Sequence, residues 1–289
     1  MSVELAKTFL EIVQTGNFVQ ASKTLHLTQS TVSARIQALE NLLGTRLFVR
    51  NRGGVKLTAA GKRFLPHAAN IVQTWSHAKQ TISTPEGFDS QVSVGARFGI
   101  WDQLLFAWTS WMKEHSPEVA IRTDLRMADS LLSRIRDGQL DIAILYDPPS
   151  VPGLEARALM RDEFILVSSS SEFRVLGEGY VFVDWSDEFR RQHRLHFPSF
   201  SGSGISVNSG SYGLSLIRTL GGAGYFPRRM VKADMEAGQL VEVPDAPKFG
   251  FDAYLVHHHS DENKETQSAI EAFYACANSL NLINLDAKN

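Results

Sequence analysis

Apolar side chains in the first fifth of the chain recur at helical spacing. Leu5, Phe9 and Val13 fall four residues apart, and Gly16 follows where a helix would stop. Asn17 can cap a second helix in which Phe18, Ala21 and Leu25 share a face. After the break His26-Leu27-Thr28, Thr28 can cap a third helix, with Val32, Ile36, Leu39 and Leu43 as its apolar stripe and Gly44 at its end. Two short helices, a three-residue turn and a longer helix describe a helix-turn-helix. Arg46-Leu47-Phe48-Val49-Arg50 then reads as a strand, Asn51-Arg52-Gly53-Gly54 as a turn and Val55-Lys56-Leu57-Thr58 as the returning strand. A hairpin in that place is a wing.

From Ala59 a long helix is expected, capped by Thr58. Phe64, Ala68, Ile71, Trp75, Ala78 and Ile82 alternate spacings of four and three, the seam of a paired helix, with Pro66 as a point of bending. Ser83-Thr84-Pro85-Glu86-Gly87 reads as a linker. From Gln91 onward strand-like and helix-like runs alternate. Val92-Ser93-Val94 precedes a helix near 101–114. Val119-Ala120-Ile121-Arg122 precedes one near 130–136, and Asp141-Ile142-Ala143-Ile144-Leu145 follows. That βα repeat predicts a doubly wound α/β sheet. A second set begins after Phe164-Ile165-Leu166-Val167, and a helix over about 263–280 returns to the first. Two chain crossings leave a cleft, with 162–165 and 256–259 as candidate hinges.

Charge sharpens this division. The chain of 289 residues has a net charge of −2, yet residues 1–63 hold nine basic and three acidic side chains, a net of +6 against −8 for the rest. A basic head on an acidic body points to an anionic partner for the head. The 43% hydrophobic and 21% charged residues are those of an ordinary globular protein. The single cysteine, Cys276, excludes an intrachain disulfide framework and is expected as a buried, inert thiol. The start Met1-Ser2-Val3-Glu4-Leu5 has no basic segment leading an apolar core, and no stretch suits a bilayer, so a cytoplasmic protein without a membrane partner is expected.

On the third helix the side away from the stripe carries Ser30, Ser33, Ala34 and Gln37, with Gln29 and Thr31 at the leading end. Gln can bond adenine bidentately, and Ser or Thr can serve several bases, so this helix is the expected reader of the major groove of double-stranded DNA. Arg35 sits towards a flank and suits a phosphate. Arg50 and Arg52 near the wing tip suit a narrow minor groove or phosphates.

At this point the sequence resembles the LysR-type transcriptional regulators. The likeness is carried by Phe9-Leu10-Glu11, Ala21-Ser22-x-x-Leu25, Leu27-Thr28-Gln29-Ser30-x-Val32-Ser33, Ile36-x-x-Leu39-Glu40, Leu43-Gly44-x-x-Leu47-Phe48-x-Arg50 and Leu57-Thr58-x-x-Gly61. Within the family it resembles a subgroup tied to flagellar gene control, on its start, on Leu65-Pro66 and Thr74-Trp75, and on Asp184-Trp185-x-x-x-Phe189-x-x-x-His193. The resemblance implies an α/β protein overall: a winged helix-turn-helix over 1–58, a dimerising linker helix and hinge over 59–90, and a two-lobed, periplasmic-binding-protein-like (type 2) effector domain over 91–289. Lobe I would span about 91–162 and 260–289, and lobe II about 163–259. It further implies homodimers through the linker helix, homotetramers that bend promoter DNA, and a small-molecule effector that changes the bend. Base contacts would come from Gln29, Ser30, Ser33 and Ala34 and wing contacts from near Arg52. Ala34 departs from the longer side chain of many relatives, leaving at most a thymine-methyl contact.

In such sheets ligands lie at strand C-termini facing helix N-termini, where free N–H groups favour anions. The candidate effector residues are Arg97, Phe98, Gly99, Ile100, Ala128, Ser130, Tyr146, Asn208 and Ser209. Relatives place Ser or Thr where Arg97 and Phe98 stand, so a known effector does not carry over. Arg97 points instead to a carboxylate or inorganic oxyanion, while Phe98 keeps open a DNA-binding repressor with a filled cleft and no ligand. A solute-binding protein would not need residues 1–83. An enzyme would need a catalytic constellation, and none is recognisable. No cofactor or metal is expected. His257-His258-His259 lies on a strand-like run whose neighbours point to opposite faces, so the three cannot converge. Ser201-Gly202-Ser203-Gly204 lacks the P-loop lysine.

Overall fold

The computed structural model describes residues 2–51, 54–96, 101–126, 128–146, 148, 150–151, 153–173, 176–259, 263–280 and 282. The head comprises α1 (Val3–Thr15), α2 (Phe18–Thr24), α3 (Gln29–Leu43), β1 (Phe48–Asn51) and β2 (Gly54–Leu57), and α4 (Ala59–Ser83) leaves it as one continuous helix that contains Pro66. Local chemistry sets these boundaries. The Asn17 side chain accepts from Val19 and Gln20 N–H, Thr28 from Thr31, and Thr58 from Gly61, each satisfying donors that a helix start leaves open. Phe9, Ile12, Val32, Ile36, Leu39 and Phe48 close the head's own core, with the Phe9 ring 5.1 Å from both Phe48 and Phe64. Gly61 is required where α4 passes the start of the wing: a Cβ there would lie 2.2 Å from the Leu47 carbonyl oxygen.

The larger domain follows as β3 (Ser90–Ala96), α5 (Trp101–His115), β4 (Val119–Leu125), α6 (Ala128–Arg136), β5 (Ile142–Tyr146), β6 (Leu154–Ser168), β7 (Val181–Val183), α7 (Asp187–His196), β8 (Ile205–Val207), α8 (Gly210–Leu220), β9 (Ala223–Pro227), α9 (Arg228–Glu236), β10 (Val241–Glu242), β11 (Phe249–His258) and α10 (Lys264–Ser279). A seven-stranded sheet runs β10-β6-β11-β5-β3-β4, with β9 also on β6. Strands β3, β4 and β5 are parallel, whereas β6 and β11 pair antiparallel from Phe249↔Phe164 to His258↔Leu154, with an irregularity at Ala253/Tyr254. These two long strands join the lobes, so the sheet is mixed rather than parallel throughout. The α10 helix returns to lobe I, where Trp108 stacks on Phe273 at 4.5 Å and donates to the Ala269 carbonyl.

Lobe II is built on the aromatic run read as a subgroup mark. Trp185, Phe189 and His193 are all buried; Trp185 donates to the Tyr225 carbonyl, and His193 Nε2 lies 2.9 Å from the Tyr180 hydroxyl. Burial, with His196 nearby, lowers the His193 imidazole to about 4, so it is a neutral core group at pH 7. These residues therefore pack lobe II.

The linker seam needs a correction. Ala68 is fully buried in the head's own core, and Phe64 and Ile71 pack against the same core. Only Trp75, at 50% exposed, Ala78 and Ile82, at 86%, stand free on the outer side. Val72 closes the same head core, while Gln73 and Ser76 are buried further along, and Ser76 meets lobe I at the Gly138 carbonyl. A period of 3.5 identifies an apolar stripe but not the surface it meets. The first half of this stripe meets its own head.

Candidate functional site

On α3 the buried stripe of Val32, Ile36 and Leu39 turns the opposite side to solvent. Gln29, Ser30, Ala34 and Gln37 are exposed, and Thr31, Ser33 and Arg35 are half-buried. The Thr28 hydroxyl lies 2.8 Å from both Ser30 Oγ and Thr31 Oγ1, so these two hydroxyls are already ordered by the cap. Gln29 and Ser33 make no side-chain hydrogen bond among the described residues and are the least committed groups at the reading end. The Gln37 amide donates to Asn41 at 2.9 Å. Arg35 turns inward: its Nη1 lies 3.5 Å from Glu4 Oε2 and 3.3 Å from the Thr8 hydroxyl, so it ties α3 to α1 before any phosphate arrives.

The wing is held to this helix by a carboxylate that sequence reasoning counted only as a motif letter. Glu40 Oε1 accepts from the N–H of Leu47 at 2.7 Å and of Phe48 at 3.3 Å, the residues that open β1. Val55 N–H also reaches the Gly16 carbonyl. Arg50 pairs with Val55 in the hairpin register, Lys56 is exposed on β2, and Arg52 lies outside the described residues. Removing the acceptor in Glu40→Ala leaves two half-buried N–H groups without their partner, at about 1–3 kcal/mol. The expected result is a looser wing, read as faster amide exchange at Leu47 and Phe48 and weaker DNA binding. Unchanged exchange at both amides would sink that account.

In the larger domain, parallel β3, β4 and β5 all end at one edge, so α5 and α6, which follow β3 and β4, start there too. Ala128 opens α6, Ser130 is half-buried in its first turn, and Tyr146 ends β5. Across the cleft Ser209 caps α8 by accepting from Tyr212 N–H, with exposed Asn208 before it. Arg97, Phe98, Gly99 and Ile100 lie outside the described residues.

Tyr146 is not a free ligand donor. It is 5% exposed, and its hydroxyl donates to Asp162 Oδ2 at 2.5 Å. Arg229 at the start of α9 donates to the same carboxylate through Nε at 2.8 Å and Nη2 at 3.0 Å. Burial first, then the Asp162 carboxylate, pushes the Tyr146 phenol well above its ordinary range, so it stays a protonated donor. This buried network ties the end of β5 to lobe II through the connecting strand β6. Beside it a cavity of about 190 Å³ is lined by Gln103, Ser211, Leu214, Ser215, Arg218 and Arg229. Arg218 is itself paired with Asp234 at 2.7 Å, so both arginines of this cavity already carry a carboxylate.

The histidine run disperses. His257 Nδ1 lies 2.8 Å from the His258 carbonyl, His258 Nε2 lies 2.8 Å from the Ile135 carbonyl, and His259 meets Glu155. Among the described residues no group of three metal-ligating side chains converges, and no helix is long and apolar enough to cross a membrane. Cys276 is buried, which pushes its thiol up.

Comparison with known proteins agrees with this geometry. Residues 3–62 match the bacterial regulatory helix-turn-helix protein, lysR family, and residues 85–279 match the LysR substrate binding domain. The chain is 32% identical over 268 residues to the HTH-type transcriptional regulator HdfR of Yersinia pestis (strain Pestoides F), covering 89% of this chain and 90% of that protein. In fold it is similar to Vibrio fischeri DarR in complex with DNA, at a TM-score of 0.58 and 17% identity over 95% of this chain and 98% of the other. It is also similar to full-length LysG of Corynebacterium glutamicum with bound effector Arg, at 0.57 and 21% over 96% and 99%. A winged helix-turn-helix on a long helix, a two-lobed α/β effector-binding domain and these matches lead to one conclusion: the chain belongs to the LysR-type transcriptional regulators, DNA-binding regulators of transcription and not enzymes.

Proposed function

We propose that a small molecule entering the cleft between the lobes changes how this regulator binds and bends promoter DNA. The observation that carries the reading is the convergence of the α5 and α6 N-termini, the end of β5 and the cap of α8 on one cleft. The solved LysG carries its effector Arg, and the solved DarR is bound to DNA. DNA contact is assigned to Gln29, Ser30, Thr31, Ser33, Ala34, Gln37, Arg50 and Arg52, with Arg35 as a bridge within the head. The two arginines of the described cavity are already neutralised, so a carboxylate or oxyanion ligand rests on Arg97 and on the helix N-termini that open on the cleft. The exposed Trp75, Ala78 and Ile82 favour a homodimer through the outer half of α4. Phe106, 76% exposed on α5, lines an open apolar groove with Phe88 and Ile121, and this surface favours a further self-contact and hence a homotetramer. The reading keeps the divisions 1–58, 59–90 and 91–289, a cytoplasmic location, and flagellar or motility genes as the target class that the subgroup resemblance in the sequence suggests.

A filled cleft without a ligand is the second reading, favoured by the Tyr146–Asp162–Arg229 network and by a cavity below the roughly 300 Å³ usual for ligand sites. A thermal-shift panel of small carboxylates, inorganic oxyanions and amino acids separates the two, because a ligand that binds the native state raises its stability by about 2.7 kcal/mol at a hundredfold excess over Kd. The first reading expects one chemical class to raise the melting temperature and to change the DNA bend. A panel with no shift and no change of bend leaves the filled cleft.

A further inference from the structure

The α6 helix begins at the cleft edge and ends against the DNA-binding head. At that far end Arg136 Nη2 lies 2.8 Å from Glu11 Oε2 on α1, and the two side chains are only 13% and 5% exposed. A charge pair this buried joins two bodies with separate cores, one in the head and one in lobe I. Removing two charges from water is costly unless their geometry is kept, so docking angles that would part the pair are disfavoured. Around it Ser76 of α4 donates to the Gly138 carbonyl, His77 lies 3.5 Å from Asp141, and Gln80 bonds Ser93 at 3.2 Å. Gly138 has φ +65°, and a Cβ there would meet the Ser76 Cβ at 2.4 Å, so the turn after α6 rests directly on the linker helix.

The contact also reaches the reading helix. Glu11 shares α1 with Glu4 and Thr8, which hold Arg35 of α3. The route thus runs from the cleft end of α6 through Arg136 and α1 to α3, along helices and polar contacts. Neither Arg136 nor Glu11 lies on the exposed side of α3 or in the wing.

We propose that Arg136 is a positioning residue for DNA binding: through Glu11 it fixes the angle of the head on its own effector domain, and so the separation of the two heads across paired half-sites. A shift of α6 at the cleft is transmitted to the head through this contact. The proposal rests on the reading that assembled chains engage two half-sites, which in helix-turn-helix dimers lie about 34 Å apart.

The test uses the full-length protein, a DNA site selected from a random pool, and duplexes in which the half-site spacing changes by one base pair at a time. Arg136→Glu, Glu11→Arg and the double swap are compared with the parent, and an isolated half-site measures intrinsic reading. The parent should favour its best spacing over its worst by about tenfold or more, in line with coupling energies of contacting groups. Each single variant should bind the isolated half-site within about twofold of the parent but lose most of the spacing preference, and the double swap should restore it. Glu11→Gln, which keeps shape and removes the charge, carries the same expectation should a reversed charge prevent folding. Single variants with the parent's spacing profile would overturn the proposal. So would equal losses at every spacing and on the isolated half-site, which would mean that the pair only supports the head's fold. A parent that reads its site without any spacing preference would remove the paired-half-site reading itself, and that failure is visible before any variant is made.

Discussion

Replacing Gln29 and Ser33 together by alanine is expected to remove sequence discrimination while leaving a folded protein that still binds DNA weakly. Both side chains sit at the reading end of α3, outside the Val32–Ile36–Leu39 stripe, and neither is committed to another group in the described chain. A good bidentate contact to a base is worth about 1–3 kcal/mol of discrimination, roughly 5- to 150-fold, and Ser33 adds a smaller share. The head's basic residues are untouched, so the phosphate component and its salt dependence should persist. Fluorescence anisotropy on the selected site and on a shuffled duplex, across a salt series, reads both parts at once. Retained preference for the selected site would move base reading elsewhere, with the wing as the first place to look. Ser30 and Thr31 are expected to matter less for direct reading, because the Thr28 hydroxyl already holds them.

The largest loss of stability is expected from Asp162→Ala. Asp162 is 4% exposed, and it takes hydrogen bonds from Arg229, itself 9% exposed, and from Tyr146. Removing the carboxylate strands a buried guanidinium, a change that costs about 3–5 kcal/mol. Arg161–Asp252 offers the control: its bond is also 2.8 Å, but its side chains are 33% and 16% exposed, so Asp252→Ala should cost about 1 kcal/mol or less. Four of the five tryptophans lie in the effector domain, so intrinsic fluorescence during urea unfolding follows the relevant transition. Similar losses for the two variants would show that the network at the cleft floor is no more than another surface pair.

The head was legible in the sequence because its signals are local. Asn17, Thr28 and Thr58 cap helices within three residues of the groups they satisfy, and the stripe of Val32, Ile36 and Leu39 lies on one helix. The βα alternation announced the α/β domain for the same reason. Contacts between distant segments left no such trace. Asp162 and Arg229 are 67 residues apart, and only the pairing of β6 with β9 and the placement of α9 bring them together. A strand-end position such as that of Tyr146 suggests a ligand contact. The position of Tyr146 is as expected, but Asp162 takes its hydroxyl. The angle of Arg35 on its helix suits a phosphate, but no spacing rule shows that Glu4 and Thr8 of α1 stand within reach.

The two-sided use of α4 has a consequence for the cell. Ser76 and Gln80 bind lobe I on one side of this helix, while Trp75 and Ile82 face outward on the other. In the proposed dimer these sides share one rigid rod, so docking of the effector domain and association of chains act on the same equilibrium. Such linkage is reciprocal: any ligand that changes chain association by some factor has its own affinity changed by the same factor when chains associate. The number of copies in the cell then acts as an input beside the ligand, and a regulator that controlled its own gene would set its sensitivity through its own abundance.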